Sequence, residues 1–353
     1  MTGGAQHPVS PEAWGELPDG VAVHCHTLGG EERPQLRVLD LGATVVSLRA
    51  FEPDPQGGRP NVVLGHPGLA GYTTTPTPYF GAVVGRYANR IAGSRFDLHG
   101  VTYTVAANEG DNCLHGGPGG FHTRVWTVTD AGPDSLTLRL VSPDGDQGFP
   151  GELTTTVTYR VTPSSVEIDI TASTTAPTVV NVTNHAYWNL SGEGAGSVDT
   201  HLLTLDADEY LPIDEHSIPL AGPDPVAGTA LDLRAAREIG AVTRLDEAQT
   251  ATTRGLDHCF LVRGDGLRRA ARLEHPGSGR VLEVHSDQPG LQVYTGNDLD
   301  GSIVGTSGRR YRQGDGIALE TQRLPDAPNR SWLPSPVLEP DHTYHSTTQW
   351  RFN

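Results

Sequence analysis

Apolar and polar residues alternate along much of this chain. In Leu136-Thr137-Leu138-Arg139-Leu140 and Val166-Glu167-Ile168-Asp169-Ile170 every second residue is apolar, the period of a strand with one face against a core. Residues 153–161 are Thr-rich and place Val157, Tyr159 and Val161 on one side. Further strands are predicted at 36–39, 45–48, 258–263, 272–274, 280–285, 291–295, 316–320 and 344–352. Turn chemistry separates many of these runs, as at Gly132-Pro133-Asp134, Pro143-Asp144-Gly145 and Pro163-Ser164-Ser165. Helical spacing occurs only around 233–239 and, more weakly, 245–250. Strands from start to end, joined by short turns, predict an all-β fold: a large antiparallel β-sandwich with few short helices. No repeat or linker run divides the chain. Residues 1–18, rich in Gly, Pro and polar groups, read as a flexible lead-in, and 19–353 as a single domain whose last strand is tied into a sheet.

Composition narrows the function. Gly 43 and Pro 27 in 353 residues suit many turns. The formal net charge of −17 argues against nucleic acid and anionic membranes, which need a basic surface, and leaves a neutral ligand open. Every basic side chain other than His is Arg, so no lysine amine is present for Schiff-base chemistry. Cys25, Cys113 and Cys259 are far apart and odd in number, with no zinc spacing and no disulfide framework. No charged-then-apolar leader and no membrane-length apolar run is present, so a cytoplasmic location is expected. Asp144-Gly145-Asp146 and Asp206-Ala207-Asp208-Glu209 lack the glycine placement and terminal Glu of a calcium loop and read as solvated turns. A glycine-rich strand–turn–helix phosphate site, which hydride transfer would require, is missing.

The chemistry gathers around Asn181-Val182-Thr183-Asn184-His185-Ala186-Tyr187-Trp188-Asn189-Leu190. One imidazole stands among amides, which bond sugar hydroxyls, and large aromatic rings, which pack on sugar C–H faces. A His moves a proton near neutral pH, which makes His185 a candidate general acid for opening and reclosing a sugar ring. The competing reading is a core strand end whose His satisfies a backbone carbonyl. Arg86, Asn89 and Arg90 in Gly85-Arg86-Tyr87-Ala88-Asn89-Arg90-Ile91 offer forked donors for oxygens, or pair with structural carboxylates. His115, followed by two glycines, lets backbone approach a ligand, or marks an exposed turn. Asp257 accepts from hydroxyls or simply begins a strand. Gln292 and Tyr294 share a strand face; the amide does polar work or a core hydrogen bond. Glu320 ends an apolar run, where a carboxylate is costly unless paired or used.

Taken together, these stretches resemble the aldose 1-epimerase (galactose mutarotase) family. The matching motifs are N-R-I at 89–91, L-H-G-G at 114–117, T-N-H-x-Y-x-N-L at 183–190, L-D-H at 256–258, P-G-L-Q-V-Y-T-G-N at 289–297 and A-L-E-T-Q at 318–322. They lie in family order across most of the chain. The resemblance implies a large β-sandwich with a sugar-binding cleft, His185 as proton donor and Glu320 as proton acceptor. It implies that Asn89, Arg90, His115, Asp257 and Gln292 hold the sugar, with no metal or organic cofactor. The expected partner is a free aldose such as glucose or galactose, bound by a monomer or homodimer. His122-Thr123, Trp188 and Arg323-Leu324 depart from the family pattern and are expected at the cleft rim, where they bear on sugar preference. Two alternatives are a hexose-phosphate epimerase recruiting Arg86, Arg90 and Arg124, and a sugar-binding module without turnover.

Overall fold

The structure, a computed structural model, describes residues 11–53, 57–74 and 78–353. Its frame is a nine-stranded sheet in the order Thr127–Ala131, Ser135–Ser142, Leu153–Val161, Ser165–Thr174, Tyr344–Phe352, Arg280–Ser286, Arg268–His275, Leu202–Leu205 and Arg237–Glu238. A six-stranded sheet runs Tyr187–Trp188, Ile317–Gln322, Gly290–Tyr294, Asp257–Val262, Ala207–Tyr210 and Asp224–Pro225. A four-stranded meander, Glu12–Glu16, Ala22–Gly30, Arg33–Leu39 and Val45–Arg49, completes the main layers. Every pairing within these three sheets is antiparallel.

The alternation read from the sequence is the reason the layers stack. Val166, Ile168, Ile170 and Ala172 all point inward from Ser165–Thr174. They join Leu136, Leu138, Val157 and Tyr159 of neighbouring strands and Leu319, Val293, Leu291 and Phe260 of the six-stranded sheet in one core. Burying each such aliphatic side chain contributes about 1.5–3 kcal/mol. Because side chains alternate across a strand, the residues between those core positions on the six-stranded sheet face the other way. They are Ala318, Glu320 and Gln322 on one strand, Gln292 and Tyr294 on the next, and Asp257 and Cys259 on the third. That second face carries the candidate chemistry.

Two expectations need correction. The lead-in is not loose from residue 12 onward: Glu12–Glu16 pairs with Ala22–Gly30, and Trp14 and Leu17 pack on Val23, Leu39 and Val46. Its strand pattern was hidden because a bulge between Ala13 and Gly15 breaks the alternation and most of its side chains are exposed. Residues 1–10 lie outside the described residues. The helix expected at 233–239 begins only at Ile239, as Ile239–Thr243. The Leu233 carbonyl accepts a hydrogen bond from the Leu205 N–H, and Arg237–Glu238 pairs with Leu202 and Leu203, which commits that backbone to the sheet. The helix expected at 245–250 forms as Ala248–Thr253.

Candidate active site

His185 opens the two-residue gap, His185-Ala186, between Thr183–Asn184, which pairs with Val83–Val84, and Tyr187–Trp188, which pairs with Ile317–Gln322. Its N–H donates to the Ala82 carbonyl and its own carbonyl accepts from the Gly81 N–H, each at 2.9 Å. Gly81 is required there, since its φ is +65° and an added Cβ would lie 1.9 Å from the Val45 oxygen. The chain thus crosses from one sheet to the next at His185, with both flanks pinned.

The pinning swings the imidazole over the polar face of the six-stranded sheet. His185 Nε2 lies 3.5 Å from Glu320 Oε1. Both residues are buried, and neither His185 Nδ1 nor Glu320 Oε2 has a hydrogen-bond partner among the described residues. Register places Gln292 directly beside Glu320. The Gln292 amide donates to Asp257 Oδ1 at 2.7 Å, leaving its own oxygen without a partner. Arg90 sends Nη1 to within 3.6 Å of Asp257 Oδ2, while Glu109 accepts from Arg90 Nε at 2.7 Å and from Nη2 at 2.9 Å. Tyr187 stacks on His185 at 4.9 Å, and Tyr79 lies across the same region, 4.6 Å from His115, 4.8 Å from His122 and 5.9 Å from His185 between ring centroids.

His115 enters from a second direction. Asn89 and His115 are both left-handed, with φ of +63° and +51°. They face each other: the His115 N–H donates to the Asn89 carbonyl, and the Asn89 N–H donates to His115 Nδ1, each at 3.1 Å. Gly116 follows because a Cβ there would sit 2.1 Å from the Gly85 oxygen. Since Nδ1 accepts, the neutral ring carries its proton on Nε2. His115, His185 and Glu320 could otherwise surround a cation, their ligand atoms lying within 4.8 Å of one another. An Nε2–H offers no lone pair, however, so the trio fits a hydroxyl better than a metal ion.

Burial dominates the protonation of this site. It pushes Glu320 well above the usual carboxylate range, with Asp257 adding to the rise and Arg90 opposing it. It lowers His185 to about 4, and lowers His115 well below an ordinary imidazole, with His185 and Arg90 adding to the effect. Asp257 is also raised by burial, against Arg90 and Gln292. Burial therefore favours a neutral imidazole beside a carboxylic acid. That differs from the imidazolium and carboxylate that an acid at His185 and a base at Glu320 require, because burial penalises both charges. Both forms hold the same single proton.

All seven candidates, Asn89, Arg90, His115, His185, Asp257, Gln292 and Glu320, are thus gathered in one region. The amides flanking His185 are not. Asn181 bonds the Ala88 and Arg323 backbones, Asn184 the Gly81 and Ala186 backbones, and Asn189 the Gly196 and Asp315 carbonyls. They fix the backbone that carries His185. Arg86 is equally structural: its guanidinium donates to the Ser142 hydroxyl and to the Ser142, Pro143, Pro150 and Gly151 carbonyls. Asp146 belongs to that network, accepting from Ser142 Oγ, whereas Asp144 accepts from the Gly151 N–H and stays exposed on its turn. Of the departures expected at the rim, only His122 stands near the site. Trp188 is core, edge-on to Trp350, Arg323 bonds the Val180 and Pro336 carbonyls, and Leu324 packs with Leu211 and Cys259.

The family model described as aldose 1-epimerase matches residues 24–351. The chain belongs to the aldose 1-epimerase family. It is 40% identical over 346 residues to the galactose mutarotase of Bos taurus, covering 98% of each chain. It is 40% identical over 341 residues to the aldose 1-epimerase of Escherichia coli, covering 95% of this chain and 96% of that one. Among solved structures, an aldose epimerase homologue from C. elegans superposes with a TM-score of 0.86 at 27% identity, covering 94% of this chain and 99% of its own. The β-sandwich and mutarotation of an aldose are accordingly family properties of this chain. Sequence reasoning missed Tyr79 and Glu109 within this aldose 1-epimerase site. A lone Tyr before Phe80-Gly81 and a Glu in a turn carry no signal until the fold brings them to His185 and Arg90.

Proposed function

We propose that the protein interconverts the α and β anomers of free hexoses such as glucose and galactose, with His185 as general acid and Glu320 as general base. Asn89, Arg90, His115, Asp257 and Gln292 hold the sugar. The observation that carries the reading is the buried 3.5 Å approach of His185 to Glu320 beside Asp257, Gln292 and Arg90. Hydrogen bonds from sugar hydroxyls favour the carboxylate form of Glu320, and the shared proton then resides on His185. Glu320 removes the proton of the anomeric hydroxyl while His185 protonates the ring oxygen. The bond between C1 and the ring oxygen opens to an aldehyde, rotation about C1–C2 presents the other carbonyl face, and closure reverses both transfers. Each well-placed acid or base is worth roughly 10²–10⁴-fold. The Nε2–H of His115 donates to a sugar oxygen without giving up its proton. His115→Asn should therefore cost less than loss of His185, about 10-fold in kcat/KM against at least a hundredfold, as read by polarimetry.

The test is polarimetry of freshly dissolved α-glucose and α-galactose. Acceleration over the uncatalysed rate at micromolar protein is expected; saturable sugar binding with no acceleration would establish a binding module instead. A phosphorylated hexose is a poor fit. Arg86 is committed to its five acceptors, Arg90 to Glu109 and Asp257, and Arg124 to Asp146 at 3.1 Å. Glucose 6-phosphate should show a kcat/KM at least about tenfold below glucose, as expected where a phosphate meets carboxylates rather than free arginines.

A further inference from the structure

Glu109 belongs to none of the motifs that mark the site, yet it controls the site's arginine. It stands on a turn whose ends exchange backbone bonds between Glu109 and Asn112. The neighbouring Asn108 side chain grips both the N–H and the carbonyl of Leu114, next to His115. The turn therefore delivers the Glu109 carboxylate in a fixed place. There it takes up Nε and Nη2 of Arg90, the two nitrogens whose fork would otherwise clasp a carboxylate or phosphate. Only Nη1 is left toward Asp257 and the sugar.

The charge balance follows from these contacts. Arg90 faces two carboxylates, Glu109 and Asp257, while His185 and Glu320 hold one proton between them and His115 is neutral. The Arg90 side chain is only 12% exposed and that of Asp257 14%, so solvent screens them weakly. Positive charge at the pocket is over-neutralised by one unit, and the excess is Glu109.

We propose that Glu109 is a specificity-determining residue that quenches Arg90, so that the site takes neutral aldoses and rejects sugars carrying a carboxylate or phosphate. This rests on the mutarotase reading above and extends it to substrate charge. With Glu109 neutral, Arg90 is balanced by Asp257 alone, its Nε and Nη2 are freed for an anionic substituent, and the pocket no longer repels one.

The experiment compares D-glucuronate with D-glucose, by anomer exchange and by calorimetric binding, in the wild type, Glu109→Gln, Glu109→Asp, Arg90→Gln and the Arg90→Gln/Glu109→Gln double variant. Glu109→Gln should raise the glucuronate-to-glucose ratio of kcat/KM by about fivefold or more, and the gain should shrink at high salt. Glu109→Asp keeps the charge and should keep the wild-type ratio. In the Arg90→Gln background, removing Glu109 should raise the binding ratio clearly less than it does beside Arg90, because no cation remains to be freed and only the carboxylate's own repulsion is lost. An equal loss on both sugars in Glu109→Gln would mean that Glu109 merely props up the loop, and would overturn the proposal. The Glu109 side chain is 36% exposed on a surface turn, and thermal melting of each variant checks that the fold is kept. Should the wild type fail to accelerate glucose at all, the enzymatic reading falls, while the calorimetric ratio still decides the role of Glu109.

Discussion

Glu320→Gln is expected to abolish mutarotation and at the same time to leave the protein as stable as, or more stable than, the wild type. The amide keeps the shape of the side chain but cannot accept a proton, so kcat should fall by at least about 10³-fold, within the range of a lost acid–base group. The stability effect has a definite sign. Burial holds the folded pKa of Glu320 well above its unfolded value. The associated stability is complete below the unfolded pKa and is lost as pH rises through the folded one. A glutamine has no such loss, so the melting temperature of the variant relative to wild type should climb with pH. Differential scanning calorimetry between pH 5 and 9 measures this, and a variant that melts well below wild type at pH 9 contradicts it. His185→Gln should be equally inactive. The wild-type profile of kcat/KM should be bell-shaped, since catalysis needs one proton on the pair. The acid limb falls near pH 4, where His185 takes up a proton while Glu320 keeps its own, and the alkaline limb near the raised pKa of Glu320.

Arg86→Leu should be strongly destabilising, although the residue lies outside the proposed acid–base pair. Five acceptors surround its guanidinium. Burial draws its pKa down to about 10, opposed by Asp146, Asp144 and Glu152, so it remains protonated at neutral pH. Leucine fills part of the volume but takes the guanidinium donors away from the Ser142, Pro143, Pro150 and Gly151 carbonyls and from the Ser142 hydroxyl, of which Pro143 keeps only the Asp146 N–H. The cost of such buried unsatisfied groups is at least about 3 kcal/mol. Chemical denaturation should show the midpoint shifted accordingly. A variant as stable as wild type would mean that water replaces the guanidinium in full. Because Arg86 adjoins the Asn89-Arg90 turn, sugar affinity should weaken as well.

Much of the large sheets is legible in the sequence because strands such as Ser135–Ser142 and Ser165–Thr174 keep one face on the core, whereas the mostly exposed edge strands Thr127–Ala131 and Arg237–Glu238 carry no such pattern. Leu153–Val161 and Tyr344–Phe352 could be bounded to the residue from alternation and turns alone. Glu12–Glu16 could not, since a bulge and two exposed faces erase the period. Within the site, Gln292 and Glu320 stood out as polar residues inside apolar strands, and register explains why they are neighbours. The roles of Asn181, Asn184 and Asn189 were misread for the opposite reason. An amide that holds backbone and one that holds a sugar look alike in a sequence, and only the location of their carbonyl partners separates them. Trp188 lies in the core rather than at the rim, a difference the sequence does not carry because composition does not tell which face of a two-residue strand is inward. Glu109 gave no sign, since a pairing with Arg90 across a turn has no period.

The strand Tyr344–Phe352 sits in the interior of the nine-stranded sheet, between Ser165–Thr174 and Arg280–Ser286. Until that strand is made and docked, a nascent chain therefore holds two half-sheets with open edges. Those edges are the surfaces that mispair with other chains. Deletion of Tyr344–Phe352 should leave an aggregating product rather than a trimmed enzyme.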